Sequence, residues 1–229
     1  MWLPMGNIIG VDEAGRGPVL GPLVVAGVKL ESIDQEVLFK ELGVRDSKKC
    51  TPKRREQLAV EIKKIGKFCI KSISAEEIDQ QRSMMTLNKL EGELFAEVIN
   101  TLNPNEHSTV FVDSADANEE SFKNYVESNL NNKPKIISKH KADEIYLTVA
   151  AASILAKTQR DAEIERIGQE LCANIGSGYP ADPVTIAFLE KWIKDKRDFP
   201  PYTRKSWNTA KRLMKDIKTP IKTLDDFTD

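Results

Sequence analysis

The order of apolar segments predicts an α/β protein: a mixed sheet with helices packed against it. Three observations carry this. Two Val- and Leu-rich runs open the sequence, at residues 7–11 and 20–30, joined by the short glycine-bearing link Glu13-Ala14-Gly15-Arg16-Gly17-Pro18. A link that short joins antiparallel neighbours. Further on, strand-like runs alternate with helix-period stripes, as they do where strands return to one sheet through helices. Finally, 229 residues of which 40% are hydrophobic suffice for one core.

Taken in order, residues 7–11 form a buried strand that ends in Asp12 and Glu13, and residues 20–30 form the second. Thr51 is a helix N-cap with Pro52 in the first position, where its missing N–H costs nothing, so residues 53–65 are helical. Residues 67–73 are a third strand. Leu87, Leu90, Leu94, Phe95, Val98 and Ile99 recur at helical period, which predicts a helix over 87–102. Residues 109–112 form a short strand ending at Asp113, 121–130 a helix, and 135–138 another strand. A long helix is expected over 142–172, broken near Gly168, and two more over 183–194 and 205–218. No internal repeat or low-complexity segment occurs. Residues 1–218 read as one domain and 219–229 as a tail.

Composition narrows the function. Charged residues make up 30% of the chain but the net charge is −1, so this is no uniformly basic polyanion binder, and nucleic-acid contact must come from local patches. Cys50, Cys69 and Cys172 are odd in number and widely spaced, against both a disulfide framework and a zinc site. Reduced thiols in the cytoplasm are the expectation. No apolar run reaches the roughly 20 residues of a membrane helix. Residues 1–6 are apolar but too short and uncharged for a signal peptide.

Two strands deliver carboxylates at their C-terminal ends, Asp12 and Glu13 on one and Asp113 on another, and Asp143 opens the long helix after the last strand. That edge of an open sheet is where sites are built. Four carboxylates brought together repel one another unless cations bind, and hard divalent cations such as Mg²⁺ take oxygen ligands. Two such ions about 4 Å apart support phosphodiester cleavage. Ordinary roles exist for the same residues: Asp143 as a helix cap, Asp113 as a turn residue, Asp12 and Glu13 as surface charge.

The sequence Gly10-Val11-Asp12-Glu13-Ala14-Gly15-Arg16-Gly17-Pro18, followed by Gly21-Pro22, resembles the opening signature of the ribonuclease HII family. Further matching blocks follow in the family's order: Arg45-Asp46-Ser47-Lys48-Lys49, Val112-Asp113, Lys139-His140-Lys141-Ala142-Asp143 leading to Ala151-Ala152-Ser153-Ile154-Leu155-Ala156-Lys157, Gly176-Ser177-Gly178-Tyr179-Pro180, and Arg204-Lys205-Ser206-Trp207. The Lys-His-Lys-Ala-Asp form is most similar to the archaeal branch. The resemblance implies an RNase H-like fold, with a five-stranded mixed sheet flanked by helices and a helical C-terminal extension. It implies an endoribonuclease that cuts the RNA strand of RNA–DNA hybrids and nicks DNA at embedded ribonucleotides, leaving 5′-phosphate and 3′-hydroxyl ends with Mg²⁺ or Mn²⁺. The four catalytic and metal-binding carboxylates it implies map onto Asp12, Glu13, Asp113 and Asp143. Asp46 and Asp161 are expected to orient Lys48 and Lys157.

An RNA–DNA junction differs from DNA chiefly by a 2′-hydroxyl, readable by hydrogen bonds at that one position. Gly15, Arg16 and Gly17 suit this, because a glycine backbone approaches sugar and phosphate closely. The resemblance implies that Tyr179 stacks on the deoxyribose after the ribonucleotide; its ordinary alternative is a half-buried core tyrosine. Lys48, Lys141, Lys157 and Arg160 are the expected phosphate contacts. Two basic stretches favour a nucleic-acid groove: residues 133–141, with Lys133, Lys135, Lys139, His140 and Lys141 and no acid, and residues 191–218, with ten Lys or Arg against three Asp. His140 is expected to donate to a phosphate or shuttle a proton. The tail Ile221-Lys222-Thr223-Leu224-Asp225-Asp226-Phe227-Thr228 resembles a sliding-clamp-binding peptide with Leu224 and Phe227 as anchors, although Ile221 stands where a Gln and Thr228 where an aromatic is expected. A frayed terminus is the alternative. The competing functions are a hybrid-binding module without catalysis, which would lack a carboxylate, and another nuclease or phosphotransferase of the same fold, which leaves the Gly-Arg-Gly and Gly-Ser-Gly-Tyr blocks unexplained together.

Overall fold

The computed structural model describes residues 6–44 and 51–218. Five strands, β1 (Ile8–Ala14), β2 (Leu23–Leu30), β3 (Lys67–Ile73), β4 (Thr109–Asp113) and β5 (Lys135–Lys139), form one sheet in the order β3-β2-β1-β4-β5. β1 pairs antiparallel with β2, and β2 with β3, while β1–β4 and β4–β5 are parallel. This is the mixed sheet that the short first link and the later alternation predict.

The pleat sends alternate residues of β1 to opposite faces. Ile9 and Val11 pack with Val110 and Val112 of β4 against Leu94, Phe95, Val98 and Ile99 of α4 (Leu87–Leu102), and α5 (Glu119–Glu127) adds Phe122 and Val126. The opposite face, with Val24, Ala26 and Val28, is covered by α7 (Leu147–Glu170), α1 (Ile33–Glu41) and α2 (Pro52–Ile65) through Ala150, Ile154, Phe39, Leu58 and Ile62. Each such Leu, Ile or Phe, taken from water, contributes about 1.5–3 kcal/mol. A third apolar cluster joins the far end of α7 to α8 (Pro183–Lys196) and α9 (Asn208–Lys218) through Ile164, Ile167, Leu189, Ile193 and Leu213. It gathers the C-terminal helices onto the same body.

Gly10 sets the depth of α7. A Cβ there would collide with the backbone of Thr148 and Val149, so helix and strand touch main chain to main chain. The small residues Ala150, Ala151 and Ala152, all fully buried, continue the close approach.

Several boundaries differ from those the sequence predicts. β1 runs on through Asp12 and Glu13, because Ala14 still pairs with Val24 of β2. β2 begins at Leu23 rather than at residue 20, since Leu20 bridges to Thr203 instead and Gly21 turns away with φ +97°. The long helix breaks at Tyr146, which is extended and stacks on Phe111 at 3.9 Å between ring centroids, leaving the short α6 (Ala142–Ile145) ahead of α7. Gly168 stays helical. Two helices went unpredicted, α1 and α3 (Ala75–Gln81). Both carry capping boxes, Ser32 with Gln35 and Ser74 with Glu77, but neither presents a long apolar stripe. α9 starts at Asn208 because Lys205 and Ser206 give their N–H groups to Asp79 of α3. Among the described residues no helix is long and apolar enough to cross a membrane.

Replacing Gly10 by Ala forces β1 and α7 apart. We expect a loss on the order of 1–3 kcal/mol, as for other overpacked cores, read as a lower midpoint in urea unfolding. An unchanged midpoint would show that the approach of strand and helix is not tight.

Candidate active site

The C-terminal ends of β1 and β4 carry the site. Asp12 lies on the face of β1 that Gly10 and Ala14 share, toward α7, where it meets the hydroxyl of Ser153 and the charge of Lys157. Lys157 in turn donates to Ser153 Oγ at 2.7 Å. Glu13, the next residue, faces the other way, toward Arg16. Asp12 Oδ1 accepts from the Glu13 N–H at 2.8 Å, while Glu13 Oε2 is buried without a hydrogen-bond partner. Asp113 ends β4 beside them and accepts the N–H of Ala142 at 2.8 Å, which ties it to the first residue of α6. Asp143, buried at 6% exposure, is the second residue of that helix. Lys141 precedes it in the left-handed conformation, φ 54°, unusual for a side chain of that length.

Electrostatics ties these acids together. Burial, then the charges of Glu13 and Asp113, push the Asp12 carboxyl well above the usual range. Burial and then Asp113 push Glu13 up to about 7, against a partial pull from Arg16. The cluster therefore repels itself, as the sequence suggests. It is not a closed ligand cage: among the described residues no three acidic, His or Cys side chains are already gathered to hold a metal ion. The donor chemistry nevertheless fits a hard cation, with an unpartnered buried oxygen on Glu13 and only oxygen ligands around it.

The link after β1 forms the second part. Gly15 takes φ +88°, and a Cβ on it would meet the carbonyl oxygen of Pro22 at 2.5 Å. Arg16 turns back onto α4, ion-paired with the fully buried Glu91 and donating to Asn88 Oδ1 at 2.6 Å. Asn88 donates to Asp116 Oδ2 at 2.5 Å. Gly17 lies against the ring of Tyr179, 3.5 Å from where its Cβ would be. Tyr179 is 40% exposed, so its ring is available at the surface rather than sunk in the core. Arg160 lies beneath that ring at 4.9 Å and donates to the Ser177 carbonyl, while the Gly178 carbonyl accepts from Val19 at 2.9 Å.

Arg204 closes the arrangement. It is fully buried and donates to the carbonyls of Gly21 at 2.9 Å, Arg16 at 3.1 Å and Gly15 at 2.6 Å. The sequence counts it among the basic groove residues, and its burial removes it from any surface contact. It acts instead as the internal strut of the glycine link. The basic charge of the stretch does not distinguish it from the exposed Lys205; only its place in the block Arg204-Lys205-Ser206-Trp207 sets it apart.

Other expectations shift as well. Asp161 pairs with Arg55 at 2.6 Å and Arg160 at 3.3 Å rather than orienting Lys157. Arg160 is 6% exposed and occupied with the 177–179 loop, so it holds Tyr179 rather than standing open to a phosphate. Lys139 is paired with Glu119 at 2.9 Å, and the same carboxylate receives the His140 N–H. Lys48 and the block 45–49, Cys50, Asp46, and the tail with Leu224 and Phe227 lie outside the described residues. Cys69 and Cys172 are free thiols.

The sequence profile described as Ribonuclease HII matches residues 9–210. Ribonuclease HII from Thermococcus sibiricus is 48% identical over 210 residues, covering 91% of this chain and 92% of that protein. Ribonuclease HII from Methanococcus maripaludis is 44% identical, over 92% of this chain and 88% of that protein. The ribonuclease H2 structure from Pyrococcus horikoshii superposes with a TM-score of 0.86 at 37% identity, covering 93% of this chain and 100% of that one. The RNase HII of Archaeoglobus fulgidus, solved as a complex with PCNA, gives a TM-score of 0.82 at 41% identity, covering 96% and 100%.

The raised carboxyls make stability depend on pH. Glu13 has an ordinary value of 4.5 and a folded value of about 7, so the folded state binds its proton more tightly. Stability present below 4.5 is lost as pH rises through about 7. In EDTA the protein should melt at a lower temperature at pH 8 than at pH 5, and Glu13→Gln should shrink that difference. An identical difference in parent and variant, by calorimetry, would remove Glu13 from this role.

Proposed function

The chain belongs to the ribonuclease HII family and is a ribonuclease H, and from that membership we propose that it incises DNA at single embedded ribonucleotides as well as cutting the RNA strand of hybrids. The products are a 5′-phosphate and a 3′-hydroxyl. One observation carries the reading: the mutually repelling carboxylates Asp12, Glu13 and Asp113 lie directly beside a glycine link that abuts the exposed Tyr179. Chemistry and recognition thus share one surface.

Asp12, Glu13, Asp113 and Asp143 would hold Mg²⁺ or Mn²⁺. A pair of such ions supplies acidity for the attacking water and neutralises charge at the phosphate. The chain's own groups do the rest. Ser153 and Lys157 orient Asp12, and the Ala142 N–H fixes Asp113. Gly15 and Gly17 let main-chain amides approach the ribose 2′-hydroxyl, and Arg16, anchored on Glu91, keeps that link from drifting. Tyr179 packs on the following sugar. Such stacking tolerates any sequence, as a repair nuclease requires. We assign the neighbouring phosphates to Lys141 and Lys157, with Lys48 as a third contact.

The assay is a DNA duplex with one ribonucleotide, incubated with Mg²⁺ and with EDTA. The parent should nick it only with the cation. Asp12→Asn or Asp113→Asn should lower turnover by at least about a thousandfold, the scale of losing one electrostatic catalytic group. Tyr179→Ala should lower kcat/KM on this substrate by about ten- to a hundredfold, the worth of one lost stacking contact. Near-normal turnover in either Asn variant would overturn the two-ion reading.

The tail, residues 219–229, takes a PCNA-type sliding clamp through Leu224 and Phe227. Support comes from the Archaeoglobus fulgidus relative, solved with PCNA, and from Leu224 and Phe227, three apart in a tail that also carries Asp225, Asp226 and Asp229. Calorimetric titration of a 219–229 peptide into the clamp of the same source should give saturable heat, and Leu224→Ala with Phe227→Ala in the full chain should abolish clamp binding. No heat at high micromolar peptide would sink the assignment.

A further inference from the structure

Beside the glycine link a cleft of about 360 Å³ is lined by Arg16, Gly17, Arg82, Ser206, Trp207 and Asn208. None of Arg82, Ser206 and Trp207 has a part in the chemistry described above. Trp207 lies between two guanidinium groups, the buried Arg204 at 4.9 Å from its ring centroid and Arg82 at 5.1 Å. Arg82 sits at the C-terminal cap of α3 and is exposed.

The state of these two arginines is what matters. Arg204 uses its donors on three carbonyls. Arg82 lies over the Trp207 ring, an attraction that restrains an otherwise exposed side chain. Among the described residues no carboxylate pairs with it and no acceptor takes its donors. Arg16, across the cleft, is already engaged with Glu91 and Asn88, so the positive charge offered to an incoming ligand is that of Arg82. Ser206 brings a buried hydroxyl that has no hydrogen-bond partner. α9 starts at Asn208 on the cleft wall, with the partial positive charge of a helix N-terminus.

A restrained guanidinium with unused donors, an unpartnered hydroxyl and an indole edge together suit a tetrahedral phosphate ester whose sugar can lie against the indole. We infer that the Arg82–Ser206–Trp207 cleft binds a backbone phosphate of the substrate duplex next to the ribose read by the glycine link, with the attached sugar against Trp207. The inference rests on the functional reading above, because it takes the ligand to be that duplex. It gives the enzyme a grip independent of the cations, one that positions the junction before they act.

The test measures binding of a fluorescent duplex with one ribonucleotide to the full chain in EDTA, by anisotropy, across a salt series. Arg82→Gln should weaken binding about tenfold at 0.1 M salt and lower the slope of log Kd against log salt by about 0.9, the value of one lost phosphate contact. Arg82→Lys should retain the slope, because the charge remains. Ser206→Ala should weaken binding by a smaller factor without changing the slope. A scan of duplexes with one neutral methylphosphonate linkage should reveal a position that weakens the parent but costs Arg82→Gln nothing more. Equal affinity and slope for parent and Arg82→Gln, or full additivity at every linkage, overturns the proposal. Nicking of the same duplex by the parent in Mg²⁺ is scored separately: if the parent does not nick, the functional reading fails, while the EDTA titration still decides whether the cleft holds a phosphate.

Discussion

The contact between β1 and α7 at Gly10 governs the rest of the molecule. Where a strand and a helix touch main chain to main chain, neither can slide without opening the core. That contact fixes the height of Ser153 and Lys157 over Asp12, and so the environment of a carboxyl that burial and its neighbours push upward. The same strand uses its other face for α4, which carries Glu91 and Asn88, the anchors of Arg16. Both halves of the site, acid and reading loop, therefore hang from one seven-residue strand.

Buried charge is handled in two ways. Arg16 and Glu91 form a buried ion pair, worth little as net stability but costly to break on one side only. Arg204 has no such partner and is instead satisfied by three main-chain carbonyls and an aromatic face. The second solution holds the carbonyls of the link fixed without a second buried charge. The carboxylates stand in contrast. Their cost in burial and mutual repulsion is only partly offset by Ser153, Lys157 and Arg16, a pattern common where groups are arranged for something other than stability.

Much of this was legible in the sequence where period and punctuation agree. The helix over Leu87–Leu102 is predicted to the residue because Leu87, Leu90, Leu94, Phe95, Val98 and Ile99 recur at its period, and the first two strands are paired correctly from the brevity of the link between them. The four candidate carboxylates stand out in the sequence because three of them sit at the ends of strong apolar runs. What escaped depends on contacts distant in sequence. The break at Tyr146 exists because Phe111, in another strand, stacks on it, and no residue near 146 announces that. α1 is amphipathic only weakly and leaves Ile33, Val37 and Leu38 exposed, so no stripe marked it. Arg204 sits in a basic stretch and was counted with it. Its burial follows from carbonyls more than 180 positions away, a separation no local pattern encodes.

That separation bears on how the enzyme comes to life on the ribosome. Chains emerge N-terminus first, and the early segments begin to fold while the remainder is still being made. β1, β2 and the glycine link leave the exit tunnel long before residue 204. Until Arg204 arrives, the carbonyls of Gly15, Arg16 and Gly21 lack their internal donor and the link lacks its strut. The carboxylates and the glycine link thus come into register only once residue 204 has left the tunnel. Before that, the nascent chain holds its acids beside a link still free to shift.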